Sequence, residues 1–288
     1  MVHDIQFDYY GRRLATCSSD RSIKVFNTAG DQAAPEATLL GHEGPVWQVS
    51  WAHPKFGNNI LASCSFDHKI IVWKETQTGY WTQIYNAQVH TASVNSIAFA
   101  PHELGLVLAS ASSDGCIAVL TYQPDGTWLT EKIEGAHSVG VNAVSWAPAT
   151  PAGSLLSAQG TTQPDRRLTS CGCDNAVKVW QKNEQQGQWL QQGGALLGHT
   201  DWVRDVAWGP NLGLPRSTIA SAGQDGLALV WTEDASGAWT ATQLCSLGEP
   251  VWRVSWSITG TILAVSDAKD NVTLWKEISD GQWEQVDS

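Results

Sequence analysis

Histidine, serine and aspartate recur together in this chain at near-fixed offsets: His42, Ser63 and Asp67; His90, Ser110 and Asp114; His137, Ser170 and Asp174; His199, Ser221 and Asp225. These residue types are the parts of a nucleophilic triad, in which an imidazole takes the hydroxyl proton and a carboxylate orients the imidazole. A triad needs one exposed hydroxyl beside an oxyanion hole, and there is no reason to build it several times. A tryptophan completes three of the sets (Trp73, Trp180, Trp231), with Leu120 standing in the remaining one. The residues read instead as a structural network. Aspartate and histidine hydrogen-bond each other, and the hydroxyl and indole N–H extend the chain so that neighbouring loops are held in register. A buried polar chain of this kind stabilises only when every member is satisfied.

Other chemistry finds no support in the spacing. Cys17, Cys64 and Cys171 each stand three residues before a turn aspartate (Asp20, Asp67, Asp174). They are one slot in different repeats, expected as separate, buried, reduced thiols that pack like small apolar groups. Cys171-Gly172-Cys173 is too short and isolated for a zinc site. There is no phosphate-cradling loop and no metal-ligand spacing. No catalytic residue, cofactor or metal is expected.

The elements that carry the network repeat with it. Gly41 to Trp73 is the template: Gly41-His42, a strand with Val46, Val49 and Trp51, a loop with Pro54 and Gly57, a strand from Ile60 to Cys64, a turn at Asp67, and a strand from Lys69 to Trp73. An outer strand follows a Gly-x-Trp turn, Gly79-Tyr80-Trp81, which returns with Trp128, Trp189, Trp239 and Trp283. Self-similarity at this period marks a repeat architecture. It predicts an all-β, single-domain β-propeller of six four-stranded blades, at about 1–40, 41–88, 89–135, 136–197, 198–246 and 247–288. The sixteen tryptophans mostly occupy repeat positions. The long connection from Pro151 to Arg167, rich in Ser, Gly, Gln and Pro, reads as a mobile loop.

The first and sixth repeats are incomplete. Val2, Ile5 and Phe7 align with Val46, Val49 and Trp51, so the chain begins almost at an innermost strand. In the sixth, Leu247 replaces the histidine and Asp270 is one position closer to its tryptophan, Trp275, than usual. With no N-terminal strand to lend and the last blade taking its outer strand from the C-terminus, the ring is expected to be unlatched. Its seam would involve Val2, Ile5 and Phe7 on one side and Val272 and Leu274 on the other. Exposed sheet faces and edges call for a covering partner.

The net charge of −11 argues against a direct nucleic-acid or anionic-lipid partner, since both attract Lys/Arg surfaces. No signal-peptide core or membrane-length apolar run is present, so a soluble, intracellular protein is expected.

The Gly-His, Ser-x-x-x-Asp and Asp-x5-Trp elements resemble WD-repeat propellers, a fold that hosts many functions. FDYYGRRLATCSSDRSIKVF (Phe7 to Phe26), GHEGPVWQVSWAHPKFG (Gly41 to Gly57), DWVRDVAWGP (Asp201 to Pro210) and VTLWKEISDGQW (Val272 to Trp283) are similar to the Sec-thirteen family, over essentially the whole chain. That resemblance implies an open propeller, completed in trans when an α-solenoid partner inserts a short blade between the first and sixth. The implied partners are the large α-solenoid subunit of the COPII outer coat, a solenoid nucleoporin of the nuclear-pore Y-complex, and a nutrient-signalling assembly. It implies a place in the cytoplasm at endoplasmic-reticulum exit sites and COPII vesicles, with membrane contact only through the coat, and at the nuclear pore. Family members usually carry a further N-terminal segment ahead of the match to Val2–Phe7.

Two other readings fit the same residues: the sister propeller of the nuclear pore, and a peptide-reading adaptor presenting Trp47, Trp202 and Trp252.

Overall fold

The computed structural model describes every residue except 31, 58, 151–163, 165, 212–215, 280 and 287–288. Most of the connection read as mobile lies outside the described residues. The chain falls into two compact units, Met1–Ala136 and His137–Ser288, each holding three antiparallel sheets.

In the first unit, sheet one is β1 (Val2–Phe7), β2 (Arg13–Ser18), β3 (Ser22–Asn27) and β4 (Ala34–Leu40). Sheet two is β5 (Val46–Trp51), β6 (Ile60–Ser65), β7 (Lys69–Gln77) and β8 (Tyr80–Gln88). Sheet three is β9 (Val94–Phe99), β10 (Val107–Ser112), β11 (Ile117–Tyr122) and β12 (Trp128–Ile133). In the second unit, sheet four is β13 (Val141–Trp146), β14 (Arg167–Gly172), β15 (Ala176–Asn183) and β16 (Gln188–Gln191), with β17 (Leu196–Leu197) also pairing with β15. Sheet five is β18 (Val203–Trp208), β19 (Thr218–Gly223), β20 (Leu227–Glu233) and β21 (Trp239–Ser246). Sheet six is β22 (Val251–Trp256), β23 (Ile262–Asp267), β24 (Val272–Ser279) and β25 (Gln282–Val286). Strands pair in chain order within every sheet, except that β17 returns to β15.

Within each unit, neighbouring sheets pack face to face, and this decides the composition of the second strands. β6 (ILASCS) and β10 (VLASAS) are buried at every position. A strand covered on both faces cannot alternate apolar with polar, and its Ala, Ser and Cys side chains let adjacent sheets approach closely. One core joins Ala15, Ile23 and Val25 to Val49, Leu61 and Ile71; another joins Ala62, Ile70 and Val72 to Ile97 and Leu108. The second unit repeats the arrangement, with Val177 and Val179 on Val206 and Ile219, and Ala220 and Val230 on Val254 and Leu263.

The first strands of adjacent sheets are not backbone-paired to each other, so side chains clip them together. β1, β5 and β18 shift register after their first residue, between Val2/Asp4, Val46/Gln48 and Val203/Asp205. A bulge of this kind re-aims the following side chains. Asp4 accepts the Val49 N–H at 3.2 Å, Gln48 accepts Ile97 N–H at 2.7 Å, and Asp205 accepts Val254 N–H at 3.1 Å. Each bond satisfies a backbone donor that the sheet ladder leaves over.

Candidate interaction site

The recurring His–Ser–Asp–Trp sets come together as one hydrogen-bonded chain in sheet two. His42 Nδ1 lies 3.0 Å from Asp67, His42 Nε2 lies 2.8 Å from Ser63 Oγ, and the Trp73 indole donates to Ser63 Oγ at 2.9 Å. His137, Asp174, Ser170 and Trp180 repeat this in sheet four, and His199, Asp225, Ser221 and Trp231 in sheet five. In sheet three His90 joins Asp114 and Ser110, and the chain stops there because Leu120 has no donor. The donors balance with neutral imidazoles: indole N–H to hydroxyl oxygen, hydroxyl to Nε2, Nδ1–H to carboxylate.

Burial alone would raise the Asp67 carboxyl. The His42 bond and the Glu43 and Lys69 N–H groups outweigh it and hold the carboxyl well below the usual carboxylate range. Burial holds the imidazoles of His90, His137 and His199 below their usual range despite the adjacent carboxylates. Ser63, Ser110, Ser170 and Ser221 are all 0% exposed, so no hydroxyl of a set faces a space where a substrate could sit. Cys17, Cys64 and Cys171 are buried in the core beside these sets.

Sheet six is built differently. Lys269, not Asp270, stands in the register slot of Asp67, and Asp270 takes the left-handed position (φ 63°) that His68 (φ 68°) holds in sheet two. Asp267 holds the turn, accepting the N–H groups of Lys269 at 2.8 Å and Asn271 at 2.9 Å. Val265 fills the serine slot, so the Trp275 indole donates to Thr273 Oγ1 instead, at 2.9 Å. In sheet one Asp20 accepts both N–H and O–H of Ser22, and Phe26 replaces the tryptophan.

The two incomplete repeats expose apolar residues at strand positions that are buried or half-buried in sheet two. Sheet one buries Ala15, Cys17, Ile23 and Val25 on one face. On β1, Val2, Ile5 and Phe7 are 54%, 57% and 60% exposed, whereas Val46 and Val49, their counterparts on β5, are fully buried. Sheet six buries Val254, Leu263 and Val265. On β24, Val272 is 64% exposed and Leu274 half-buried, where the matching Ile70 and Val72 on β7 are fully buried. Each of these sheets therefore has one packed face and one uncovered apolar face.

Sequence reasoning missed a pair of interior ion clusters. Arg13 at the start of β2 reaches Glu75 and Glu36, each at 2.6 Å, and Asn59 and the Gly79 N–H complete the shell of Glu75. Arg167, at the start of β14, repeats the device with Glu233 at 3.0 Å while its guanidinium lies 5.2 Å from the Trp208 ring. The recoverable signal was an arginine just ahead of the second strand's first leucine, with a glutamate two residues after the next repeat's tryptophan. Of the three tryptophans that a peptide-reading adaptor would present, Trp47 is half-buried, donating to Ser93 at 2.9 Å, and Trp202 and Trp252 are exposed. Trp47 and Trp252 share the bulge slot after the first buried valine of their strands, which Arg204 fills on β18, whereas Trp202 precedes that valine.

The WD domain, G-beta repeat profile matches residues 1–27, 33–74, 81–120 and 191–232. The chain is 57% identical over 290 residues to protein transport protein SEC13 homolog A of Arabidopsis thaliana, covering 99% of this chain and 94% of that protein. It is 51% identical to the SEC13 homolog protein of Drosophila melanogaster (99% and 80% covered) and 47% identical to protein transport protein SEC13 of Mycosarcoma maydis (99% and 91%). Six antiparallel sheets, each with a four-strand path, the repeated His–Ser–Asp–Trp chain and this similarity along nearly the full length place the chain in the SEC13 family of WD-repeat β-propeller proteins.

Proposed function

We propose that this chain is a non-catalytic scaffold subunit of the COPII vesicle coat in endoplasmic-reticulum-to-Golgi transport and of the nuclear-pore Y-complex. It captures α-solenoid partners that lay a further β-blade on the uncovered faces of sheets one and six. The observation that carries the reading is the exposure of Val2, Ile5, Phe7 and Val272 in slots that are fully buried or half-buried in sheet two. A partner's blade packed on these faces removes them from water, each large apolar side chain contributing about 1.5–3 kcal/mol before the costs of association. The protein-transport names of the relatives support the coat role. The absence of an accessible nucleophile in the repeated sets fits a scaffold, because their hydroxyls are wholly buried.

The test is capture of the large coat solenoid and of a solenoid nucleoporin by the tagged chain, compared with Phe7→Asp. Retention by the wild type and loss from the variant supports the reading. A second reading, a peptide-reading adaptor, is favoured specifically by the exposed indoles of Trp202 and Trp252, and predicts capture that Phe7→Asp leaves unchanged.

A further inference from the structure

Arg204 lies between two exposed indoles. Its guanidinium carbon is 5.0 Å from the Trp202 ring centroid and 4.8 Å from that of Trp252. Nε donates to Gln224 Oε1 at 2.8 Å, and among the described residues the two terminal nitrogens make no hydrogen bond or ion pair. Other cations of the chain are spent on carboxylates: Arg13 on Glu36 and Glu75, Arg167 on Glu233, Lys178 on Asp174, Lys269 on Glu249. Aromatic faces hold a guanidinium in place without neutralising it, so the fork stays charged and pre-oriented.

The surroundings fix this geometry. The bulge at Val203/Asp205 turns Arg204 away from the core while Asp205 points inward. Asp205 accepts the N–H groups of Val206 at 2.9 Å and Val254 at 3.1 Å, which ties β18 to β22 and so sets Trp252 beside Arg204. Asp201 accepts the Trp202 N–H at 2.7 Å and anchors the other wall.

We propose that Arg204, Trp202 and Trp252 form a docking point for a carboxylate side chain in an extended acidic segment of a protein partner. The terminal nitrogens take the carboxylate side-on through two parallel hydrogen bonds, and the indoles pack against the flanking residues. The charge pattern selects this occupant. On a chain of net charge −11, a charged guanidinium fork held by ring faces rather than by a carboxylate is a local point of attraction for an acidic side chain. A nucleic acid would require many such cations. The site takes Trp252 from β22 of sheet six but uses none of Val2, Ile5, Phe7, Val272 and Leu274, so its test is independent of the scaffold reading.

An array of short peptides of randomised sequence is probed with the full chain and with Arg204→Glu. Peptides held by the wild type and lost from the variant should be enriched in Asp and Glu. The strongest of them is then titrated by fluorescence anisotropy. Arg204→Lys, which keeps the charge and loses the fork, should weaken binding about ten-fold, as should changing the peptide's Glu to Gln. Should Arg204→Glu fold poorly, Trp252→Ala, at an exposed ring, should lose the same peptides. No acidic enrichment, equal affinity in Arg204→Lys, or preference for phosphoserine peptides over Asp/Glu peptides would overturn the proposal.

Discussion

Asp67 and His42 meet at 3.0 Å with both side chains almost wholly out of water, and the same carboxylate accepts the N–H groups of Glu43 and Lys69 at 2.8 and 2.9 Å. One side chain thus ties the loop ahead of β5 to the turn between β6 and β7. Asp67→Ala leaves these donors without their acceptor and should destabilise the fold by about 3 kcal/mol, the order expected when hydrogen bonds to a buried carboxylate are removed and their donors are left unsatisfied. A urea titration reads it, and an unchanged midpoint would remove the assignment.

Acid should unfold the chain in two stages. His90, His137 and His199 have folded pKa values below the usual 6.5, because burial disfavours their charged forms. The unfolded chain then binds more protons, so stability should begin to fall as pH drops through about 6.5. Asp67 and Asp174 are held below their usual 3.8, and their stabilisation is present above that value and lost as pH falls beneath it. Urea midpoints taken from pH 8 to pH 4 should decline before any carboxylate titrates. A flat profile down to pH 5 would contradict the buried neutral imidazoles.

Arg13 and Glu75 form a pair whose loss is asymmetric. Arg13→Met strands Glu75 and Glu36 in the interior and should cost about 3 kcal/mol, whereas Arg13→Met combined with Glu75→Gln should cost less than the two single changes added together. Additivity in the double-mutant cycle would mean that the pair does not couple.

Phe7 and Val49 are apolar residues on neighbouring first strands, yet one is 60% exposed and the other fully buried. Phe7→Asp should leave the thermal midpoint within a few degrees of wild type, because it buries no charge. Val49→Asp places an unpaired carboxylate in the core and should abolish folding. Equal loss of stability in both variants would place Phe7 in the core.

Much of the fold was legible because the repeat makes each blade evidence for the next. His42, Ser63, Asp67 and Trp73 recur at offsets that fix the strands between them. What escaped depends on register. Asp4, Gln48 and Asp205 differ in type and share a role only because a bulge aims each at the following sheet. Asp270 looked like a shifted copy of Asp67, but the turn places Lys269 in that slot and puts Asp270 at positive φ, a conformation aspartate tolerates better than most residues. Arg204 was invisible because its partners are ring faces contributed by a loop and by the next sheet's first strand.

The most direct measurement is quantitative capture from the chain's own cell lysate, with stoichiometric partners identified by mass spectrometry for wild type, Phe7→Asp and Val272→Asp. The account predicts that the wild type retains a large α-solenoid coat subunit and a solenoid nucleoporin, and that each variant loses both while remaining folded. Recovery of neither solenoid by the wild type, or undiminished recovery by both variants, would contradict it.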